Sequence, residues 1–541
     1  MREPSTVNRE PSTAPEFPDR FNMASYFVDS NVEAGRGDKV AIHFDDQRIT
    51  FQQAYENVNR AGNGLMALGL QPEQRVLTAL HDRPEFAYFW FGAIKVGGVA
   101  TQINPLLPTE DFAYYLNYTK APIAAVDEEA LDNFLPALKH ARYLKHVIIV
   151  GKIATTVPPK GVTLHAWGDW LSGHSEKLDP ADTSKDDPSV WLFTSGTTGH
   201  SKGAVHFHSH FPFNTEVYAK RFIGMRESDI TVSGPRLFFG YATGTNLMFP
   251  WAVGATSVLF KDRPTPERLF ELVQKHKCTV LTNVPTLINK MLAQEGPKPD
   301  LSSLRFMWSA GEALPKDLHD RWDAAHGVPI IDGIGSAESF HIYISNRPDD
   351  VRPGSLGKLV PGYMAKLTDD EGGPVAQGDV GTLWISGASA ALYYHNAYAK
   401  SREHLRGGWI VSGDKFRQDA DGYWYYEGRG DDLIKSGGIY VSPLEVENCL
   451  MQHEAVKECC VIGKKDEAGL EKPFAIVVPQ GAPNVSSGPE IEALATDLIE
   501  HCKKNLVRYK APHGVAFSDK PLPRNDRDKI DRKALRQLYA N

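Results

Sequence analysis

Short apolar runs recur along the first two thirds of the chain, and the stretches between them have helical spacing. RVLTAL (75–80), HVIIVG (146–151), SVWLFTS (189–195), CTVLTNV (278–284), RFMWSAG (305–311) and GVPIIDGIG (327–335) read as buried strands. Residues 54–69 and 84–100 carry apolar positions at helical intervals and stop at Gly69 and at Gly97-Gly98. Strands that alternate with helices predict parallel-type sheets covered by helices, an α/β fold. The texture changes after Gly372. GTLWISG (381–387), GGWIVSGD (407–414) and GYWYYEG (422–428) are short, aromatic and turn-rich, as antiparallel strands are, and predict a β-rich subdomain.

A polar, glycine-rich joint follows, GRGDDLIKSGG (428–438), and beyond it a helix (442–456) and a strand (458–466) begin a small α+β unit. A chain of 541 residues exceeds what one hydrophobic core serves. The organisation expected is a disordered tail over 1–20, where REPST occurs twice, a large N-terminal domain over 21–430, and a small mobile C-terminal domain over 431–541.

Composition removes several classes. A net charge of −8 argues against a nucleic-acid partner. Five cysteines without a C-x-x-C pair argue against a disulfide framework and a cysteine zinc site, and a reducing cytoplasm is the expected setting. No apolar run reaches membrane-spanning length and the N-terminus has no apolar signal region, so no membrane partner is expected. A monomer or a homodimer is expected.

The most informative loop is FTSGTTGHSKG, Phe193 to Gly203. It fails the Walker A spacing, because Lys202 is preceded by Ser201 and followed by Gly203. Its glycines nevertheless let backbone N–H groups turn toward an anion, Ser195, Thr197 and Thr198 add hydroxyl donors, and Lys202 adds positive charge. Read alone, the loop is either a phosphate cradle or a flexible Ser/Gly turn.

The loop does not stand alone. It resembles the signature of the adenylate-forming superfamily, which includes acyl-CoA synthetases, beetle luciferases and peptide-synthetase adenylation domains. Ser201 replaces the usual Pro. SAGEALP (309–315), DGIGSAE (332–338), VSGD (411–414), GRGDDLIKSGG and PRNDRDKIDRKAL (523–535) resemble five further motifs of that superfamily in the same order. The resemblance spans about residues 21–537, and its texture is most similar to the benzoate–CoA ligase branch.

The resemblance implies ATP, Mg²⁺ and coenzyme A as cofactors and co-substrates, and a small carboxylic acid as substrate. Thr194, Ser195, Gly196, Thr197, Thr198, Gly199 and Lys202 would hold the outer phosphates, and Glu338 the magnesium. Asp332 would accept from the adenine amine, beside Gly311 and Glu312, with Ile334 where many relatives have Tyr. Asp414 would bind the ribose, with Arg429 beside ribose and phosphate. Lys529 would be the adenylation lysine and Asp431 the hinge. Lys435 and Gly437 would serve the thioester half-reaction. Gly240, Tyr241, Gly335, His341 and Ile342 would surround the acid, and the missing methyl at Gly240 would leave room for a ring substituent. Phe238 and Phe239 are expected in the core. His341 reads equally as a ligand to the substrate or as a structural histidine.

Two positions depart from the pattern. Ala337 stands where the family has Thr, and Asp528 where it has Gly before the lysine. The expected activity is ATP-dependent ligation of benzoate or a related ring carboxylate to CoA through an acyl-adenylate. The departures keep open a catalytically weakened nucleotide or acyl-adenylate binder, and the family keeps open an enzyme that loads a carrier protein.

Overall fold

The computed structural model describes residues 14–152, 158–194, 201–430, 432–436, 439–466, 471–481, 489–524 and 530–539. The expected helices form where local chemistry supports them. Phe51–Ala67 starts at Thr50, whose hydroxyl accepts from the Gln53 N–H while the Gln53 side chain accepts from the Thr50 N–H. It stops before Gly69, which has φ +84°. Pro84–Lys95 begins on proline, whose missing N–H costs nothing at a first helical turn, and all but one of its residues are buried.

Among the described residues the strands form two large sheets and smaller ones. The first runs Thr163–Ala166, His146–Val150, Ile123–Asp127, Arg75–Ala79, Val99–Gln102, Pro188–Thr194, Lys202–Phe207. All its pairings are parallel except the last, an antiparallel hairpin. The second is nine-stranded, with a parallel centre that includes Val280–Asn283, Phe306–Ser309 and Ile330–Gly335. From Ile330–Gly335 it turns antiparallel onto Ile342–Ser345. Helices cover both sheets, and the largest buried cluster draws on residues from Met23 to Trp424, with Trp90, Trp251 and Trp308 fully enclosed. The α/β expectation holds, with the parallel strands divided between two sheets.

Met364–Thr368, Gly381–Ser386, Leu405–Arg406, Trp409–Gln418 and Trp424–Arg429 make the antiparallel sheet expected after Gly372. Beyond the joint, Val456–Lys465, Glu471–Pro479 and Gly514–Phe517 form a separate three-stranded sheet packed against the helices Pro443–Leu450 and Pro489–Asn505. All five cysteines are free and buried. Among the described residues no helix is long and apolar enough to cross a membrane.

Part of the expected tail is docked. The Phe17 ring lies 5.0 Å from that of Phe21, Arg20 pairs with Asp182 at 2.6 Å, and Lys185 reaches Asp19 at 2.9 Å. Residues 19–21 thus run along the segment 183–185, and Phe17 packs on the rings of Phe21 and Tyr26, an aromatic contact that a charge-and-proline reading overlooks.

Candidate active site

The phosphate-loop motif sits on the antiparallel hairpin, with Thr194 and Lys202 directly opposite each other. Ser195, Gly196, Thr197, Thr198 and Gly199 lie outside the described residues. The helix Thr109–Thr119 holds the stem through two tyrosines one turn apart: Tyr114 donates to the Ser201 carbonyl at 2.7 Å, and the Gly203 N–H donates to the Tyr118 hydroxyl at 3.2 Å. On the other side the stem carries the segment around Tyr394. Val205 N–H donates to the Tyr393 carbonyl at 3.1 Å and His395 N–H to the Gly203 carbonyl at 2.9 Å. This places the Lys202 ammonium 4.5 Å from the Tyr394 ring centroid. The Tyr394 hydroxyl in turn donates to Glu338 Oε1 at 2.7 Å. Loop lysine and magnesium-motif acid are therefore joined through one phenol. Burial lowers the pKa of Lys202 while Glu338 opposes that shift, and burial and Glu338 together raise that of Tyr394.

Glu338 rides on the short turn Ala337–Ser339 that follows the Ile330–Gly335 strand. The turn is braced from the hairpin. His206 Nε2 donates to the Ala337 carbonyl at 2.7 Å, and His206 Nδ1 faces His210 Nδ1 at 3.2 Å. A carbonyl only accepts, so His206 carries its proton on Nε2 and His210 must donate across the Nδ1 pair. Burial depresses the His206 pKa to about 4, which keeps the ring neutral. Phe340 leaves the turn with φ +72° and ψ −58°, a strained conformation for a residue with a side chain. Its ring stacks on Phe211 at 3.6 Å, which holds it there. The Ala337 methyl packs against the main core. Gly335 is required by close approach: a Cβ there would lie 2.3 Å from the His341 carbonyl oxygen.

Asp332 lies on the same strand and is 5% exposed. Its Oδ1 is buried without a hydrogen-bond partner, and burial pushes its pKa up to about 8. Ile334, two residues on, is half-buried against the core. Gly311, with φ +83°, turns the chain out of the Phe306–Ser309 strand, and the next residue, Glu312, accepts from the Thr286 N–H at 3.0 Å and its hydroxyl at 2.7 Å. Asp414 and Arg429 face each other across neighbouring strands. Asp414 and Glu338 both act on the buried Tyr343 hydroxyl, which with burial raises its pKa. Lys202, Tyr394 and Glu338 are thus in direct contact, and Glu338 and Asp414 are both near enough for their charge to act on the Tyr343 phenol.

The residues expected around the acid also converge. His341 Nε2 donates to the Tyr241 carbonyl at 2.9 Å, while its Nδ1 is buried without a partner. Burial lowers its pKa to about 4, so Nδ1 is a bare acceptor. A Cβ at Gly244 would come within 2.4 Å of this imidazole. Tyr241 donates to the Asn283 carbonyl at 3.4 Å. Ile342 is buried in the main core, and its carbonyl accepts from Asn214 at 2.9 Å. A Cβ at Gly240 would meet Leu192 Cδ1 at 3.0 Å, so Leu192 already backs the space a methyl would fill. One expectation is corrected here. Phe239 is 53% exposed and Phe238 half-buried, so of the LFF triplet only Leu237 is core. The start of the Gly240–Thr243 helix turns both rings outward together, 4.6 Å apart.

Asp431, Gly437, Asp528 and Lys529 lie outside the described residues. Lys435 sits on the short strand Ile434–Ser436, paired with Ile439–Val441. Arg524 bridges Ile530, and the Asp531 N–H donates to the Pro523 carbonyl at 2.7 Å. Just beyond, Arg532 reaches Glu447 at 2.6 Å, and Arg536 reaches Asp432, beside the expected hinge, at 3.0 Å.

Tyr394, Tyr343 and His206 escaped the sequence reading. Alternate histidines in HFHSH, directly after the loop, were the available signal for His206. Nothing in LYYHN distinguishes Tyr394 before the hairpin places it. The His81, Asp127 and Glu129 cluster has metal-like spacing, but Arg83 at 2.7 Å from Asp127 and Lys261 at 2.8 Å from Glu129 already neutralise it.

Comparison with known proteins agrees with this arrangement. Residues 29–395 match the AMP-binding enzyme family, and residues 445–529 match the AMP-binding enzyme C-terminal domain. The chain is 42% identical over 524 residues to a benzoate–CoA ligase of Thauera aromatica, covering 96% of this chain and 97% of that protein. It is 36% identical to a 4-hydroxybenzoate–CoA/benzoate–CoA ligase of Rhodopseudomonas palustris, covering 96% and 94%. The solved anthranilate CoA ligase AuaEII, in complex with anthranoyl-AMP, superposes with a TM-score of 0.88 at 38% identity, covering 96% of this chain and 98% of that one.

Proposed function

Since the chain belongs to the family of AMP-binding enzymes, we propose that it is an ATP-dependent acid–CoA ligase for benzoate or a closely related ring carboxylate. The link from Lys202 through Tyr394 to Glu338, with Asp414 and Arg429 at opposed positions of neighbouring strands, carries this reading. It offers a cation and an acid for phosphates at one end, and a carboxylate with a cation for ribose at the other.

In the first half-reaction the acid's carboxylate oxygen attacks the α-phosphorus of ATP and pyrophosphate leaves, giving the acyl-adenylate. Two anions must approach, so positive charge and fixed donors lower the barrier most. Lys202, with the 194–200 loop, holds the outer phosphates, and Lys529 supplies charge to the oxygens that gain it. Glu338 would offer a carboxylate oxygen to Mg²⁺, a hard ion that prefers oxygen ligands, and the ion held there would supply positive charge for the phosphates. His206 and the stacked Phe340 fix the Glu338 turn before substrates arrive. Asp414 accepts from the ribose hydroxyls. In the second half-reaction the CoA thiol attacks the acyl carbonyl and AMP leaves. Asp431 serves as the hinge that brings Lys435 and Gly437 to the site. The domain limits at 20 and 430 are part of the same reading.

The acid's ring lies beside Tyr241, His341, Ile342, Gly240 and Gly335. His341 Nδ1 suits a ring amino or hydroxyl donor. The test is release of AMP and pyrophosphate from ATP and Mg²⁺ across ring and linear acids, with and without CoA. CoA-dependent turnover on ring acids is expected. Release without CoA turnover would move the assignment to carrier loading, and no release with any acid would overturn it.

A further inference from the structure

Two side chains of the first sheet hold the backbone of the segment that enters the expected acid site. Leu237 is fully buried, directly before Phe238, Phe239, Gly240 and Tyr241. Its N–H donates to Asp82 Oδ1 at 2.8 Å, and its carbonyl accepts from Gln102 Nε2 at 2.9 Å and from the Thr243 hydroxyl at 2.6 Å. Asp82 lies just past the Arg75–Ala79 strand and Gln102 ends the Val99–Gln102 strand, whereas Leu237 follows Ile230–Ser233 of the second sheet. The two side-chain contacts therefore cross the seam between the sheets, at the carboxyl ends of parallel strands, where folds of this kind bind their ligands. The mount is stiff. Asp82 is 1% exposed, and the residues on either side of it are pinned by the buried Asp127, which accepts from the His81 N–H and from Arg83 at 2.7 Å. Arg236 lies 3.9 Å from the other Asp82 oxygen and donates to the Phe260 carbonyl at 2.7 Å.

We propose that Asp82 is a positioning residue of the ligase: its carboxylate, by holding the Leu237 amide, sets Gly240 and Tyr241 against the acid and so governs how tightly the ring carboxylate binds. The proposal rests on the reading that places the acid beside those two residues. Only Phe238 and Phe239 separate Leu237 from Gly240, and the Phe239 N–H closes that turn on the Arg236 carbonyl at 2.9 Å. A shift at Leu237 therefore passes to Gly240, which faces Leu192, and to the Tyr241 carbonyl, which accepts from His341. Removing the carboxylate leaves the Leu237 N–H buried without its acceptor, and a buried donor either stays unpaired at a cost or moves the backbone to find a partner. An amide in place of the carboxylate keeps an oxygen for that N–H. Lys202 and Glu338 stand on other elements, the hairpin and the turn after Ile330–Gly335, so the ATP site keeps its own supports.

The test is steady-state pyrophosphate release by the full-length enzyme with ATP, Mg²⁺ and CoA. The KM for the ring acid that wild type uses best and the KM for ATP are measured separately, alongside the melting temperature. The proteins compared are wild type, Asp82→Asn, Asp82→Ala and Gln102→Met. Asp82→Ala is expected to raise the acid KM about tenfold or more and to leave the ATP KM within about twofold. Asp82→Asn is expected to keep the acid KM within about twofold of wild type. Gln102→Met, close in size, takes a donor from the Leu237 carbonyl and is expected to raise the acid KM about fivefold, so the test stands even where Asp82→Ala does not fold. A purely structural Asp82 would lower the melting temperature and the active fraction while both KM values held, and that result would overturn the proposal. So would a rise shared equally by the ATP KM, an Asp82→Asn acid KM as high as that of Asp82→Ala, or an unchanged acid KM in Gln102→Met. Wild-type turnover with any of these results sinks the positioning role alone, whereas no release by wild type with any acid sinks the ligase reading with it.

Discussion

Replacing Tyr394 by Phe removes one oxygen and keeps the ring. The ring still meets the Lys202 ammonium at 4.5 Å, but Glu338 Oε1 loses the donor that holds it at 2.7 Å. A hydrogen bond to a charged group contributes about 1.5–3 kcal/mol, and the phenol is only 4% exposed, so water replaces it poorly. Phe leaves no stranded donor, and the Glu338 carbonyl stays anchored by the Ala391 N–H at 2.7 Å. The loss therefore falls on the orientation of the carboxylate. Carried fully into the transition state, it slows pyrophosphate release by about 10- to 150-fold. The assay is ATP–pyrophosphate exchange with benzoate, titrated with Mg²⁺, alongside thioester formation from supplied benzoyl-adenylate and CoA. Exchange should fall, its half-saturating Mg²⁺ should rise, and the thioester step should hold. Tyr394→Ala should cost more in the exchange, because Lys202 then loses its partner ring as well. An exchange rate within threefold of wild type for Tyr394→Phe would refute the coupling of Lys202 to Glu338 through this phenol.

Other expectations follow from the same contacts. Gly335→Ala forces a methyl to within 2.3 Å of the His341 carbonyl and should abolish pyrophosphate release or soluble expression, read by gel filtration and activity. Asp29→Ala takes the paired carboxylate from the fully buried Lys95 ammonium, 2.7 Å away, leaving it only the Asn59 amide oxygen and the Tyr55 ring, and should lower the unfolding free energy by about 3 kcal/mol in urea titration. His206, His208 and His341 have pKa values depressed by burial to about 4, so between about pH 6.5 and 4 the unfolded chain binds more protons than the native one. Stability should fall as pH drops through that window, measured as the urea midpoint, and His206→Gln should make the fall shallower. Ala337→Thr should raise the rate of pyrophosphate release if its hydroxyl reaches the α-phosphate; an unchanged rate in a folded variant would show that the hydroxyl is dispensable.

The division between sequence and structure runs along the range of the forces involved. Loop chemistry was legible in FTSGTTGHSKG because hydroxyls, glycines and one lysine act over neighbouring residues. The parallel strands were legible because burial on both faces writes a continuous apolar run. Gly335 was legible as part of a motif, though its reason, a backbone carbonyl across a hairpin, was not. Phe239 misled because an apolar triplet carries no sign of the helix start that turns its rings outward. Tyr394 became part of the site only when the hairpin set it between Lys202 and Glu338, and Asp414 met Arg429 only across paired strands. The charge states of Asp332, His206 and His341 depend on everything that excludes water from them. The sequence by itself determined which donors and acceptors the chain has and which segments become strands or helices, since those choices are local. Only the tertiary structure decided which of them share a dry environment, because desolvation is summed over residues that the chain order leaves far apart.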